Sequence, residues 1–189
     1  MSVFDRSAKL AQRERAAANP DVADFDFMKE EIGYRLSDRV LDIKRKMDVA
    51  VDIGSGRGFV TRHLTGHSVK KLYAIEMSPS LLDQCVLPEE EEGIVSEKIV
   101  MDVDGARLPF EDNSVDMVTS GLAVHWVNNL PGLFKEINRC LKPDGVFLGS
   151  MFGGETLFEL RFVKRFSFFD CFNEETNVIF TGLPFKWLI

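Results

Sequence analysis

From Met28 onward the apolar residues Ile32, Leu36, Val40 and Ile43 recur at three- and four-residue spacing. That period predicts an amphipathic helix packed on the edge of a domain. A compact apolar run follows at Asp48–Ile53 and reads as a first strand, leading through a glycine turn into a helix that reaches about Leu64. A second strand is expected over Lys71–Glu76. Ser78-Pro79 then supplies an N-cap followed by a first-turn proline, so another helix begins there. A third strand is expected near Lys98–Asp102, and a fourth near Val115–Ser120 after the polar turn Glu111-Asp112-Asn113. The next helix opens at Pro131, with Leu133, Phe134, Ile137, Cys140 and Leu141 on one face, and Lys142-Pro143-Asp144-Gly145 stops it and launches a fifth strand, Val146–Met151. Strands alternating with helices in this way predict an α/β protein with a doubly wound, mostly parallel sheet.

The pattern divides the chain into three parts: an N-terminal helical arm (1–45), a central domain (46–161) and a tail (162–189). Within the arm, residues 1–25 are charged and alanine-rich. Arg6, Lys9, Arg13 and Arg15 lie among a few apolar side chains, closed by Asn19-Pro20, which reads as a solvated arm or loose helix. The tail holds seven of the sixteen phenylalanines without a clear period. Lys164, Arg165, Asp170 and Glu174-Glu175 break it up, so it is not a membrane span, and no other stretch is apolar for long enough to be one. The acidic run Glu89–Glu92 reads as a solvated loop.

At 189 residues the chain is one domain's worth, and its net charge of −7 argues against nucleic acid as a partner. Cys85, Cys140 and Cys171 are odd in number and widely spaced, which fits neither a disulfide framework nor a zinc site. Asp5 and Glu14 interrupt the amino terminus, so no secretory or import signal is visible there.

The chemistry concentrates in Val51-Asp52-Ile53-Gly54-Ser55-Gly56-Arg57-Gly58. Glycines at 54, 56 and 58 allow positive φ and let a ligand lie against bare main chain. Asp52, at the strand end, would repel a pyrophosphate but suits the ammonium and sulfonium of S-adenosylmethionine. The glycine spacing also departs from the dinucleotide pattern. In an open parallel sheet, ligands lie across the carboxyl ends of the strands, where Glu76, Asp102 and Asp104 also fall. Glu76 is suited to accept both ribose hydroxyls, and Asp104 to accept from an adenine amino group.

These segments resemble the class I S-adenosylmethionine-dependent methyltransferases of the type-11 kind. The likeness runs through Val51–Gly58, Glu76, Asp104-Gly105-Ala106-Arg107-Leu108-Pro109-Phe110, Ser114–Ser120 and Leu141-Lys142-Pro143-Asp144-Gly145. It implies a Rossmann-like fold and a cofactor site that also takes in Ser55, Met77, Gly105 and Ser120. Within that superfamily, Phe4-Asp5-Arg6, the helix around Phe27–Ile43, Leu122-Ala123-Val124-His125-Trp126-Val127 and Met151-Phe152-Gly153-Gly154-Glu155-Thr156-Leu157 resemble the mitochondrial complex I assembly factors described as arginine hydroxylases. A bacterial relative methylates the malonyl carrier protein of biotin synthesis. The resemblance implies a matrix protein, peripheral to the inner membrane, acting on an arginine of a core complex I subunit. It spans about Val3 to Arg161 and then ends, which points to a truncated or variant product whose sheet is incomplete at the C-terminal edge.

His125 falls just beyond the fourth strand, where the donor sulfur would face the substrate. It is the candidate general base, and a packed pocket wall is the alternative. Hydroxylation would call for an iron held by two histidines and a carboxylate. His63 and His67 are four apart but share no carboxylate at that spacing and read as exposed helix-end residues, so no metal site is expected. Two other readings stay open: a methyltransferase for a small or carrier-bound carboxylic acid, and a catalytically silent module that holds a partner subunit.

Overall fold

The computed structural model describes residues 2–88 and 93–153. The Glu89–Glu92 run and the phenylalanine-rich tail lie outside the described residues. Five strands form one parallel sheet: β1 (Met47–Ile53), β2 (Val69–Glu76), β3 (Val95–Val100), β4 (Val115–Gly121) and β5 (Leu141–Ser150). Their order is β3-β2-β1-β4-β5, so the chain reverses direction across the sheet between β1 and β4. This is the Rossmann-like arrangement expected from the alternating pattern, and its ligand crevice lies at the carboxyl ends of the strands flanking the reversal.

The helices are α1 (Arg6–Ala18), α2 (Phe27–Leu41), α3 (Pro79–Asp83) and α4 (Leu130–Cys140). Both faces of the sheet are covered. Leu36 and Val40 of α2 pack on Ala50, Leu72, Met117 and Leu148, while Leu133, Ile137 and Cys140 of α4 pack with Val51, Ile53, Ile75 and Val118 on the other. Alternate residues of β1 and β2 therefore go to opposite cores, as strand geometry requires. Strand ends are also held by polar contacts. The Asp116 carboxylate accepts the Asp48 and Val49 amides at 3.0 Å and pairs with Lys142 at 2.9 Å, fixing the start of β1.

Several local expectations change. No α-helix follows the glycine turn. Gly54, Gly56 and Gly58 all take positive φ (70°, 52° and 82°), and beyond them only a 3-10 turn forms at Thr61–His63, where the Thr61 hydroxyl donates to the Val86 carbonyl at 2.6 Å. His63 is consequently half-buried, with its ring edge-on to Tyr34 at 5.6 Å. The Lys142–Gly145 turn is absorbed into β5 as an irregularity: Leu141 pairs with Val115 and Val146 with Met117. Ser78 does cap α3, accepting the Leu81 amide at 3.1 Å, but α3 ends before Cys85.

α2 approaches the glycine turn so closely that a Cβ on Gly33 would sit 2.1 Å from the Phe59 carbonyl oxygen. The backbone there has no flexible side chain to yield. Gly33→Ala should therefore destabilise the fold by about 1–3 kcal/mol through overpacking. Urea unfolding measures it, and an unchanged midpoint would mean that α2 and the turn are not in this contact.

Candidate functional site

The turn after β1 is pinned to β2 from two directions. The Gly54 and Ser55 amides both donate to the Ile75 carbonyl, at 2.8 and 3.0 Å. The Gly56 amide donates to Oε2 of Glu76 at 3.1 Å, and the Ser78 amide donates to Oε1 at 3.0 Å. Glu76 is 1% exposed, so these donors and the guanidinium of Arg13, 3.1 Å from Oε2, are what keep a buried carboxylate tolerable. The three glycines differ in purpose. A Cβ at Gly58 would lie 2.3 Å from the Val86 carbonyl and one at Gly54 would lie 2.2 Å from the Ala123 side chain, so both are closed in by protein. At Gly56 the nearest atom is the Phe59 ring at 3.7 Å, so there a Cβ has room, although the residue is buried and its amide is taken by Glu76.

The arm is not solvated. Asp5 caps α1 by accepting the Ser7 and Ala8 amides, and the inward face of the helix is Arg6, Lys9, Leu10, Arg13, Glu14 and Ala17. These recur at helical spacing, but four of the six are charged, and the reason is that the surface beneath them is acidic. Arg6 grips Asp102 with two bonds of 2.6 and 2.8 Å and donates to the Trp126 carbonyl at 2.7 Å. Glu14 accepts from the Ser78 and Ser80 hydroxyls at the start of α3. Lys9 lies over the Trp126 ring, 3.2 Å from its centroid. Phe4 meets the same ring edge-on at 5.3 Å, while Asn128 accepts the Val3 and Phe4 amides at 2.7 Å. Sequence reasoning missed Arg6, Lys9 and Arg13 as site residues. Their i, i+3, i+7 spacing was the available signal.

α1 thereby roofs a narrow cavity of about 30 Å³ whose floor is the ends of β1 and β2 and whose walls include Glu76, Met77, Asp102 and Trp126. A smaller cavity of about 10 Å³ lies beside it, lined by Asp52, Ser55, Lys29 and Gly33, and Gly54 borders both. Ser120 is buried and donates to the Ile53 carbonyl at 2.8 Å, so it ties β4 to β1 at the crevice. Asp104 stands beside the cavity rather than in its lining: its carboxylate takes the Asn128 and Asn129 amides, both at 3.0 Å, and the Asn128 side chain at 2.7 Å. Gly105, exposed with φ 75°, makes the turn beyond it. Asp102, not Asp104, faces the space.

Asp52 and His125 are both displaced far from their ordinary ranges. Asp52 is fully buried with Thr119 donating to it at 2.7 Å. Burial outweighs that bond and, with Glu76 nearby, pushes its pKa up to about 7. His125 sits in a 3-10 turn, Val124–Trp126, between the rings of Trp126 and Phe152, each 5.1 Å away. Burial first, then the charges of Lys9 and Arg13, lower its pKa to about 4, so the imidazole is neutral at neutral pH. Neither ring nitrogen has a hydrogen-bond partner among the described residues.

Asp52 sets a pH test. Its folded pKa lies above the unfolded value near 3.8, so its contribution to stability is complete below that value and is lost as pH rises through about 7. The urea midpoint of the native chain should fall relative to Asp52→Asn as pH is raised across that window. Parallel profiles would show that Asp52 is ionised throughout.

Comparison with known proteins agrees with this architecture. The chain is 44% identical over 161 residues to the mitochondrial arginine-hydroxylase NDUFAF5 of Mus musculus and 40% identical over the same length to that of Homo sapiens. Each match covers 85% of this chain and 45% of the relative, so the chain spans about half the length of these proteins. A malonyl-[acyl-carrier protein] O-methyltransferase of Halorhodospira halophila is 30% identical over 135 residues, covering 71% of this chain and 45% of that protein. Among solved structures, the methyltransferase of Haloferax volcanii in complex with the Trm112 activator superposes with a TM-score of 0.62 at 24% identity, over 74% of this chain and 59% of that one. An S-adenosyl-L-methionine-dependent methyltransferase fold from Methanococcus maripaludis gives 0.58 at 20% identity, over 82% and 72%. Both are likenesses of fold. Residues 51–149, from the middle of β1 through most of β5, match the family described as a methyltransferase domain, and the chain belongs to that family.

Proposed function

We propose that this chain is the S-adenosylmethionine-binding core of a protein-modifying enzyme of the complex I assembly arginine-hydroxylase type, working in the mitochondrial matrix. The observation that carries the cofactor reading is the pair of cavities meeting at Gly54, one bordered by buried Glu76 and the other by buried Asp52. In this reading the adenosine enters the larger cavity as α1 withdraws, with its ribose hydroxyls on Glu76 and with Met77 and Asp102 along its wall. The amino-acid end of the ligand lies in the smaller cavity, where Asp52 and Ser55 face its ammonium and Lys29 its carboxylate. Asp104, Gly105 and Ser120 serve this site from behind, by holding the loops and strands that form it.

The target and location rest on kinship with the NDUFAF5 arginine-hydroxylases, which covers 85% of this chain. When bound, the cofactor supplies a sulfonium-activated methyl group. The chain's own part is to orient it and present the neutral imidazole of His125, able to take up a proton, near the substrate side. A second reading, methyl transfer to a carrier-bound carboxylic acid, is favoured by the likeness to the malonyl-carrier-protein enzyme. Hydroxylation adds an oxygen to the product and methylation adds a methylene, so product mass separates the two.

Titration calorimetry with S-adenosylmethionine tests the core claim. The native chain should bind, and Glu76→Ala should bind about 1.5–3 kcal/mol more weakly, the worth of hydrogen bonds to a charged group. Equal affinities would remove Glu76 from the ribose site.

A further inference from the structure

The Arg13–Glu76 pair has a second meaning, which rests on the cofactor reading above. We propose that α1 is a strap that closes the cavity in the empty protein, and that Arg13 is its latch, holding the carboxylate oxygen that an incoming ribose hydroxyl takes over. Three observations carry this. First, Glu76 is buried and already accepts the Gly56 and Ser78 amides, so the contact with Arg13 at 3.1 Å is the one that comes from a movable element. A buried carboxylate needs compensation in every state. Two ribose hydroxyls donate to it when the guanidinium leaves, so the exchange leaves no carboxylate oxygen without a donor.

Second, α1 is attached mainly by polar contacts. Of its inward residues only Leu10 and Ala17 are apolar, so part-buried ion pairs and hydrogen bonds rather than a hydrophobic seam hold the helix down. The attachment is also uneven. The Arg6 end is anchored by the paired bonds to Asp102, a bond to the Trp126 carbonyl and the Phe4 contacts, and the far end by Glu14 on the Ser78 and Ser80 hydroxyls and by Gln84 on the Ala17 carbonyl, while Arg13 between them makes a single bond to Glu76. Opening at Arg13 therefore also releases Glu14 from Ser78 and Ser80. Third, Arg6, Lys9 and Arg13 together line the cavity that a sulfonium ligand enters. Withdrawal of Arg13 and Lys9 relieves like-charge repulsion as that ligand arrives.

The experiment uses the full chain with S-adenosylhomocysteine as probe, calorimetry and stopped-flow for binding, and hydrogen exchange for α1. Arg13→Gln should associate about fivefold faster and bind several times tighter, because a larger fraction of the protein is open. Arg13→Lys, which keeps a cation, should stay close to the native protein. In a Glu76→Gln background, removing Arg13 should change nothing. Without ligand, α1 amides should exchange faster in Arg13→Gln, and in the native chain ligand should speed their exchange. Weaker binding by Arg13→Gln together with slower α1 exchange on ligand addition would overturn the latch and make Arg13 a clamp. Unchanged constants in Arg13→Gln would overturn the latch and leave the cofactor reading standing. If neither the native chain nor the variant binds the probe, the cofactor reading falls and the latch with it.

Discussion

A single buried carboxylate organises the crevice. Glu76, at the end of β2, cannot stay charged out of water without donors. Those donors are the Gly56 amide from the turn after β1, the Ser78 amide at the start of α3 and the guanidinium of Arg13 on α1. Three chain segments far apart in sequence are thus held at one point. The left-handed glycines, the capped proline start of α3 and the inward charges of α1 are conditions for meeting there. The same carboxylate contributes to raising the pKa of Asp52, so the two cavities are electrostatically linked.

This arrangement explains why the arm is charged on the face it buries. A helix that covered the strand ends with leucines would seal an acidic crevice permanently. With Arg6, Lys9, Arg13 and Glu14 facing inward, α1 matches the acids Glu76 and Asp102 and the Ser78 and Ser80 hydroxyls, and its attachment stays reversible. Arg6 remains the fixed point, since the field of Asp102 raises its already high pKa and its fork meets both carboxylate oxygens.

The strands were legible because their cores alternate cleanly: Ala50 and Leu72 toward α2, Val51, Ile53 and Ile75 toward α4. Glu76 and the glycine turn were legible from strand-end position alone, and Ser78-Pro79 from its capping chemistry. Asp102 and Asp104 were both visible as strand-end acids, but which one faces the cavity depends on how Asn128 and Asn129 fold back, and that is a tertiary fact. The helix expected after Gly58 was read from the glycine turn itself, and the residues beyond that turn form only the 3-10 turn Thr61–His63. α1 was misread for a different reason. Basic residues on one helical face are usually solvated, and only the acidic surface beneath, invisible in a local window, turns that face inward.

The central claim is that the arm and the strand ends form one ligand site. Amide chemical-shift mapping of the isotope-labelled chain during titration with S-adenosylhomocysteine reports on every segment at once. The account expects the largest changes at Asp52–Gly58, Glu76–Met77, Met101–Val103 and Arg6–Ala17, following one common saturation curve. Saturating changes confined to the strand ends, with α1 unmoved, would contradict it, as would changes centred elsewhere on the domain.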